Sequence, residues 1–351
     1  MSITKSKYTF VDLFTGAGGL YRGFTEAGLE HLFSVEIWQP AIDTLKKNYP
    51  DIKLYEGDIR ELNRDQIKTL LAGRKCDVLV GGPPCQGFST IGKRLEKDPR
   101  NELVFEFIRI VNEVRPKFFI MENVKGLLSA NKGIMRELLI QEFKNIGYEN
   151  TIARTLCATD YGVPQKRQRV FFFGVRDDVK LTEMIDFPKE TGENKTVGDV
   201  IMDLLGKENQ IPNHIPMKHN ATVTKRIHCI PEGGGIPKEG LPNEVAYGSR
   251  SDYANNKLKN FSHVYKRLDR KKCATTMVPG HNAFPLHPVA DRSLTVREAA
   301  RIQTFPDDVI FCGSRQEQCI QVGNAVPVKL AEELAKNVMK YLESEKDGDD
   351  T

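Results

Sequence analysis

YTFVDLFTGAGGLYRGFTEAGLEHLFSVEI, residues 8–37, decides how the rest of the chain is read. Apart from Asp12, its first seven residues are aromatic, β-branched or aliphatic, the composition of a buried strand. The run stops at Thr15-Gly16-Ala17-Gly18-Gly19. Glycine adopts backbone angles closed to other residues, so a strand can turn tightly there into the short helix predicted over LYRGFTEAGL. HLFSVEI then reads as a second strand. Strand, glycine turn, helix and strand together make one βαβ unit.

The alternation continues outward. DTLKKNYP predicts a helix stopped by Pro50, and CDVLVGG another strand. Val104, Phe107, Ile108, Val111 and Val114 recur at helical spacing and give one apolar face. KFFIMENV is strand-like, IMRELLIQEFKNIGY helical, and TIARTLC and RVFFFGV strand-like again. The expected fold class is α/β: a Rossmann-like, mostly parallel sheet with helices on both faces. Such sheets carry their sites at the carboxyl ends of the strands. TGAGG, GGPPC and MENV all fall at such ends. From about residue 188 to 290 the chain is rich in Pro, Gly, Asn and His, without βαβ rhythm, and reads as a smaller, irregular inserted domain. Helical patterns return in SLTVREAARIQTF and VPVKLAEELAKNVMKYL, the latter packing back onto the first domain.

Composition narrows the class. The 351 residues are 40% hydrophobic and 28% charged, an ordinary balance with ample material for a core. No apolar run has membrane-spanning length and no charged-then-apolar leader is present, so a soluble, unsecreted protein is expected, with no membrane partner. The seven cysteines are scattered, without the spacing of a disulfide framework or a metal site, which points to a reduced cytosol and no metal. A net charge of +4 settles no partner, but KLKNFSHVYKRLDRKK (257–272) holds seven Lys/Arg against Asp269. With Phe261 and Tyr265 interleaved, it suits either a phosphate backbone or a solvated face.

The strand ends carry the chemistry. Gly16, Gly18 and Gly19 permit close backbone approach to a ligand. Glu36 closes the second strand about 20 residues on, where nucleotide-binding sheets place the acid that holds ribose hydroxyls. Asp58, after a third strand, is placed to hold a base amino group. A lone glycine turn is compatible with a purely structural role; with Glu36 and Asp58 in sheet order, an adenosine-type cofactor is favoured. Cys85 follows Gly81-Gly82-Pro83-Pro84, which aims its side chain instead of burying it. Thiolate is the reactive form of such a residue. Glu122 ends four apolar residues and is suited to partial desolvation, as an acid catalyst requires, or else to a cap or ion pair. Arg167 and Arg169 are two apart before a buried strand and share a face, so both guanidinium groups can meet one carboxylate or phosphate, unless the run is a surface one.

DLFTGAGG, GGPPCQGFS, MENV, YGVPQKRQRV, RSLTVREAARIQTFPD and QVGNAVP occur in this order across nearly the whole chain. In these motifs the chain resembles a C5-cytosine-specific DNA methyltransferase of the bacterial restriction-modification type. The resemblance implies an S-adenosylmethionine-dependent methyltransferase sheet over 1–187 and 321–351, a target-recognition domain over 188–290, and a hinge or return segment over 291–320. It places Phe14, Gly16, Gly18, Gly19, Leu20, Glu36, Asp58, Ile59, Pro83, Asn324 and Val326 around S-adenosyl-L-methionine. Ile37 stands where many relatives carry an aromatic, and takes over its packing. The resemblance makes Cys85 the nucleophile and Glu122 its partner, with Arg167 and Arg169 holding the base, Cys85 or a phosphate. Gln86, Ser89, Lys93, Arg94, Thr276 and Met277 become DNA contacts, and STIGKRLEKDPRN (89–101) a loop that closes over a flipped-out base. The implied partners are double-stranded DNA and, functionally, a cognate restriction endonuclease. The implied state is a monomer in the bacterial cytosol, associated with the nucleoid when acting. A tRNA methyltransferase shares this catalytic core but has a more compact recognition region. Intact Cys85, Glu122 and Arg167 argue against a silent DNA-binding regulator, and an NAD-dependent oxidoreductase leaves Cys85 unexplained.

Overall fold

A computed structural model describes residues 7–84, 102–129, 133–237, 242–245, 265–278 and 284–345. Its main sheet has seven strands: β1 (Thr9–Leu13), β2 (Glu30–Glu36), β3 (Leu54–Glu56), β4 (Val78–Gly81), β5 (Phe118–Val124), β6 (Asn150–Cys157) and β8 (Gln168–Val175). A two-residue strand, β7 (Gln165–Lys166), pairs separately with β9 (Ala274–Thr275). The sheet order is β3-β2-β1-β4-β5-β8-β6. Neighbours from β3 to β5 run parallel, while β8 is antiparallel to both β5 and β6. The expected α/β architecture is therefore present, with one reversed strand.

Side chains alternate across a strand, so a sheet covered on both faces needs apolar residues at every position. Phe10, Val78, Val80, Phe118 and Ile120 pack on one face with the helices Gly19–Glu26 and Val328–Glu343. Val11, Leu13, Leu79, Phe119 and Met121 pack on the other, against the helices Glu102–Val114 and Ile134–Asn145. Each aromatic or aliphatic side chain so buried contributes roughly 1.5–3 kcal/mol. The first two helices meet so closely that a Cβ on Gly23 would lie 2.5 Å from that of Ala331. That contact fixes the C-terminal helix on the βαβ unit that opens the chain.

The segment after the sheet is built differently. Short helices at Val197–Ile201, Ala221–His228 and Val296–Ile302 are set among stretches whose described residues are mostly irregular. A third core cluster joins Val197, Leu268, Met277, Leu294, Ala299 and Phe305 to Val322 and Val328. The helix Arg315–Asn324, which periodicity did not announce, starts at a Ser314 capping box and brings its last residues to the sheet's carboxyl edge. No helix among the described residues is long and apolar enough to cross a membrane.

Candidate active site

A cleft of about 540 Å³ opens at the carboxyl edge of β1, β2, β4 and β5. One half is shaped by backbone. Phe14 and Gly16 both lie in the left-handed region, at φ 57° and 56°, so the chain doubles back as it leaves β1. For a phenylalanine this conformation is strained, a cost that recurs at ligand sites. The Glu36 carboxylate locks the turn: Oε2 accepts from the Gly16 amide at 2.7 Å, and Oε1 from the amides of Ile37 at 2.9 Å and Trp38 at 2.8 Å. A carboxylate has about four acceptor positions. Glu36 therefore retains capacity on the cleft side.

Across the turn, a Cβ on Gly19 would lie 2.2 Å from the Val326 carbonyl oxygen, so only glycine lets these two walls meet. Phe14, Gly16, Gly19, Leu20, Glu36, Ile37, Asp58, Ile59, Pro83, Asn324 and Val326 all line the cleft. Gly18 does not; its left-handed backbone, at φ 84°, starts the helix behind the wall. Apolar flanks from Phe14, Ile37, Ile59 and Val326, with acids at the ends of β2 and beyond β3, suit a purine nucleoside. Asp58 is already engaged by Arg60, whose Nε lies 3.0 Å from both carboxylate oxygens, which holds the acid below its usual range.

The other half is built from side chains. Gly82, Pro83 and Pro84 leave β4 beside the end of β5, and the Asn123 amide donates to the Pro83 carbonyl at 3.0 Å. A Cβ on Gly82 would lie 3.1 Å from Glu122 Oε2, so the glycine leaves room for the carboxyl group. Glu122 is 9% exposed, and Arg169 Nε sits 3.0 Å from its Oε1. Burial pushes the Glu122 carboxyl up from its ordinary range; Arg169 and Arg167 pull the other way without cancelling the effect. A carboxyl group raised in this way holds a proton to higher pH and can donate it to a base beside it.

The two arginines of the QKRQR run do different jobs. Burial alternates through Gln165, Lys166, Arg167 and Gln168 as in a strand. Arg169, opposite Val124, reaches Glu122, whereas Arg167 is 1% exposed and donates to the carbonyls of Gly323 at 2.9 Å and Asn324 at 3.1 Å. The two guanidinium groups thus have different hydrogen-bonding partners, while both act electrostatically on Glu122.

Cys85, Gln86, Ser89, Lys93 and Arg94 lie outside the described residues, as does the expected closing loop. The structure shows their lead-in, Pro83-Pro84, lining the cleft with Glu122. Met277, expected to contact DNA, is 1% exposed and packs in the third core cluster. Thr276 spends its hydroxyl on the Lys166 carbonyl at 2.6 Å, beside the β7–β9 pairing. Within the basic run, Tyr265 and Arg267 are buried and so leave the surface expected to meet phosphates. Trp38, Arg60 and Gln321 also line the cleft. Their places next to Glu36, in EGDIR and in QVGNAVP were the available signal; their roles depend on how the chain turns after each motif.

A family model described as C-5 cytosine-specific DNA methylase matches residues 8–340. The chain is 37% identical to the type II methyltransferase M1.HphI of Haemophilus parahaemolyticus over 95% of its own length and 87% of that protein's. It is 35% identical to M.DdeI of Desulfomicrobium norvegicum, covering 95% and 89%. Among solved structures, an Escherichia coli prophage-encoded protein assigned as a DNA modification methyltransferase superposes with a TM-score of 0.71 at 28% identity, covering 96% of this chain and all of that one. The chain belongs to the C-5 cytosine-specific DNA methylase family.

Proposed function

We propose that this DNA cytosine-5 methyltransferase methylates a flipped-out cytosine in a short duplex sequence, using Cys85 as nucleophile, as the modification enzyme of a restriction-modification system. The observation that carries the mechanism is Glu122: a buried carboxyl group with a raised pKa, seated against Gly82 and lining the same cleft as Pro83 and Pro84, which precede Cys85 in the sequence.

S-adenosylmethionine, when bound, supplies an electrophilic methyl group on a sulfonium centre. The Gly16–Gly19 turn, Glu36 and Ile37, with Asn324 and Val326 as the facing wall, are the residues that would hold its adenosine portion. Cytosine C5 is a poor nucleophile, and the protein's task is to enrich it. The Cys85 thiolate adds to C6, turning the ring into an enamine; this splits one difficult step into two easier ones. Charge moves toward N3 as the C–S bond forms, and the Glu122 carboxyl group donates there. Arg169 holds Glu122 in position. After C5 is methylated, a base removes its proton and Cys85 is eliminated, leaving 5-methylcytosine. A stacked base exposes no C6 face, so the target must leave the helix at a cost of a few kcal/mol. The segment 188–290 reads base edges in the major groove, and the enzyme acts as a monomer in the bacterial cytosol. A cognate endonuclease is its functional partner.

The test is transfer of labelled methyl groups to unmethylated genomic DNA, with bases mapped by sequencing. Wild-type protein should label cytosine C5 at one short motif. Cys85→Ser should abolish transfer, and Glu122→Gln should lower kcat by roughly 10²- to 10⁴-fold, the range for a positioned acid. Full activity in Cys85→Ser would overturn the covalent route, and label confined to tRNA would overturn the substrate.

A further inference from the structure

The motif arginine that does not reach Glu122 is placed to work on the cofactor side. Arg167 is fully enclosed, and its fork ends on the carbonyls of Gly323 and Asn324. These are the last two residues of the helix Arg315–Asn324. Terminal carbonyls of a helix have no partner within it and carry the negative end of its dipole, so a guanidinium group there is a charged cap. The capped residue Asn324 lines the cleft, and Val326 follows it into van der Waals contact with the Gly19 turn. On its other side Arg167 acts electrostatically on Glu122. Its Nε, buried and unpartnered among the described residues, leaves the two carbonyls as the group's hydrogen-bonding attachment.

We propose that Arg167 is a positioning residue for the cofactor wall: by capping the helix Arg315–Asn324 it sets Asn324 and Val326 against the glycine turn, and so governs S-adenosylmethionine affinity without holding the base. This rests on the methyltransferase reading above. A lysine keeps the charge but cannot span two carbonyls with a planar fork. The loss of one charge-assisted hydrogen bond corresponds to about 10- to 100-fold in binding.

Trp38, the only tryptophan in the chain, lines the cleft, so its fluorescence reports occupancy directly. Wild type, Arg167→Lys and Arg167→Ala would be titrated with S-adenosylmethionine by this signal, and separately with duplex DNA by anisotropy. Circular dichroism would check each fold. The expected result is roughly 10- to 100-fold weaker cofactor binding in Arg167→Lys, with DNA affinity within about twofold. Guanidinium ion at millimolar concentration should partly restore cofactor binding to Arg167→Ala. If that variant does not fold, Arg167→Lys decides. Unchanged cofactor affinity in Arg167→Lys overturns the proposal, as does an equal loss of cofactor and DNA affinity, the mark of a merely structural role. Wild-type protein that binds no cofactor, by fluorescence and by calorimetry, overturns the cofactor-site reading on which the proposal rests; a binding wild type beside an unaffected variant overturns only the role of Arg167.

Discussion

The sheet and the irregular segment that follows it solve one problem in two ways. In the sheet, backbone groups are satisfied by neighbouring strands, and stability comes from continuous apolar burial on both faces. In the segment from about residue 200 onward, buried arginines take over the carbonyls. Arg267, 4% exposed, donates to the carbonyls of Ile230, Ile227, His287 and Ala290 and to the Asp291 carboxylate. Arg297, fully buried, gathers the carbonyls of Pro212, Pro306 and Val309. Arg292 clasps Glu298 through two bonds of 2.8 Å and reaches Glu208 at 3.0 Å. Buried carbonyls need partners wherever they lie, and a guanidinium fork can serve several where no strand is present. A loop-rich segment can thus be held firmly and still vary in path.

The largest effect should come from Arg267→Met, which strands four carbonyls and should cost on the order of 3 kcal/mol or more. Thermal melting and limited proteolysis would show the loss within the irregular segment. Cofactor binding reported by Trp38 should persist; a parallel fall would mean that the two regions are not held separately. On the sheet side, Gly23→Ala overpacks the contact with Ala331 and should cost about 1–3 kcal/mol, measured as a lower Tm. An unchanged Tm would show that this junction can yield. Thr276→Val removes a side-chain bond from the segment to the Lys166 carbonyl and should cost about 0.5–1.5 kcal/mol. Methylation falling far more than stability would instead place Thr276 on DNA. The smallest change should be a gain. The native state holds the Glu122 proton more tightly than the unfolded chain, so its stabilising contribution is complete below about 4.5 and is lost as pH rises through the elevated native pKa. Glu122→Gln should therefore melt higher than wild type at pH 8, and lose that advantage near pH 4.

This contrast also explains what was legible beforehand. Apart from Asp12, every position in Phe10 to Leu13, Val78 to Val80 and Phe118 to Met121 is apolar, which announces a two-faced sheet, and Gly16, Glu36 and Glu122 stand out as exceptions at the strand ends. The glycine turn that lines the cleft and the buried acid were readable on that ground. Arg267 and Arg297 announced nothing, since a bond to a distant carbonyl leaves no periodicity. The basic run looked like a surface because charge was visible and the acceptors were not. The burial of Met277 was hidden for a related reason: its neighbours Leu268, Phe284 and Leu294 come together only through the irregular path. Motif order identified Arg167 and Arg169 as a pair, but which carbonyl or carboxylate each met depended on the turn between β7 and β8.

The reversed strand β8 has a consequence for how such a site can be assembled. A parallel strand offers an edge only the loop by which it departs. A strand running the other way offers the loop by which it arrives. β8 starts where β1, β4 and β5 finish, so its opening residues join an edge otherwise furnished by endings. Arrivals and departures there belong to different stretches of chain with different constraints. One can drift while the other stays fixed, a division of labour that an all-parallel layout would not provide at this edge.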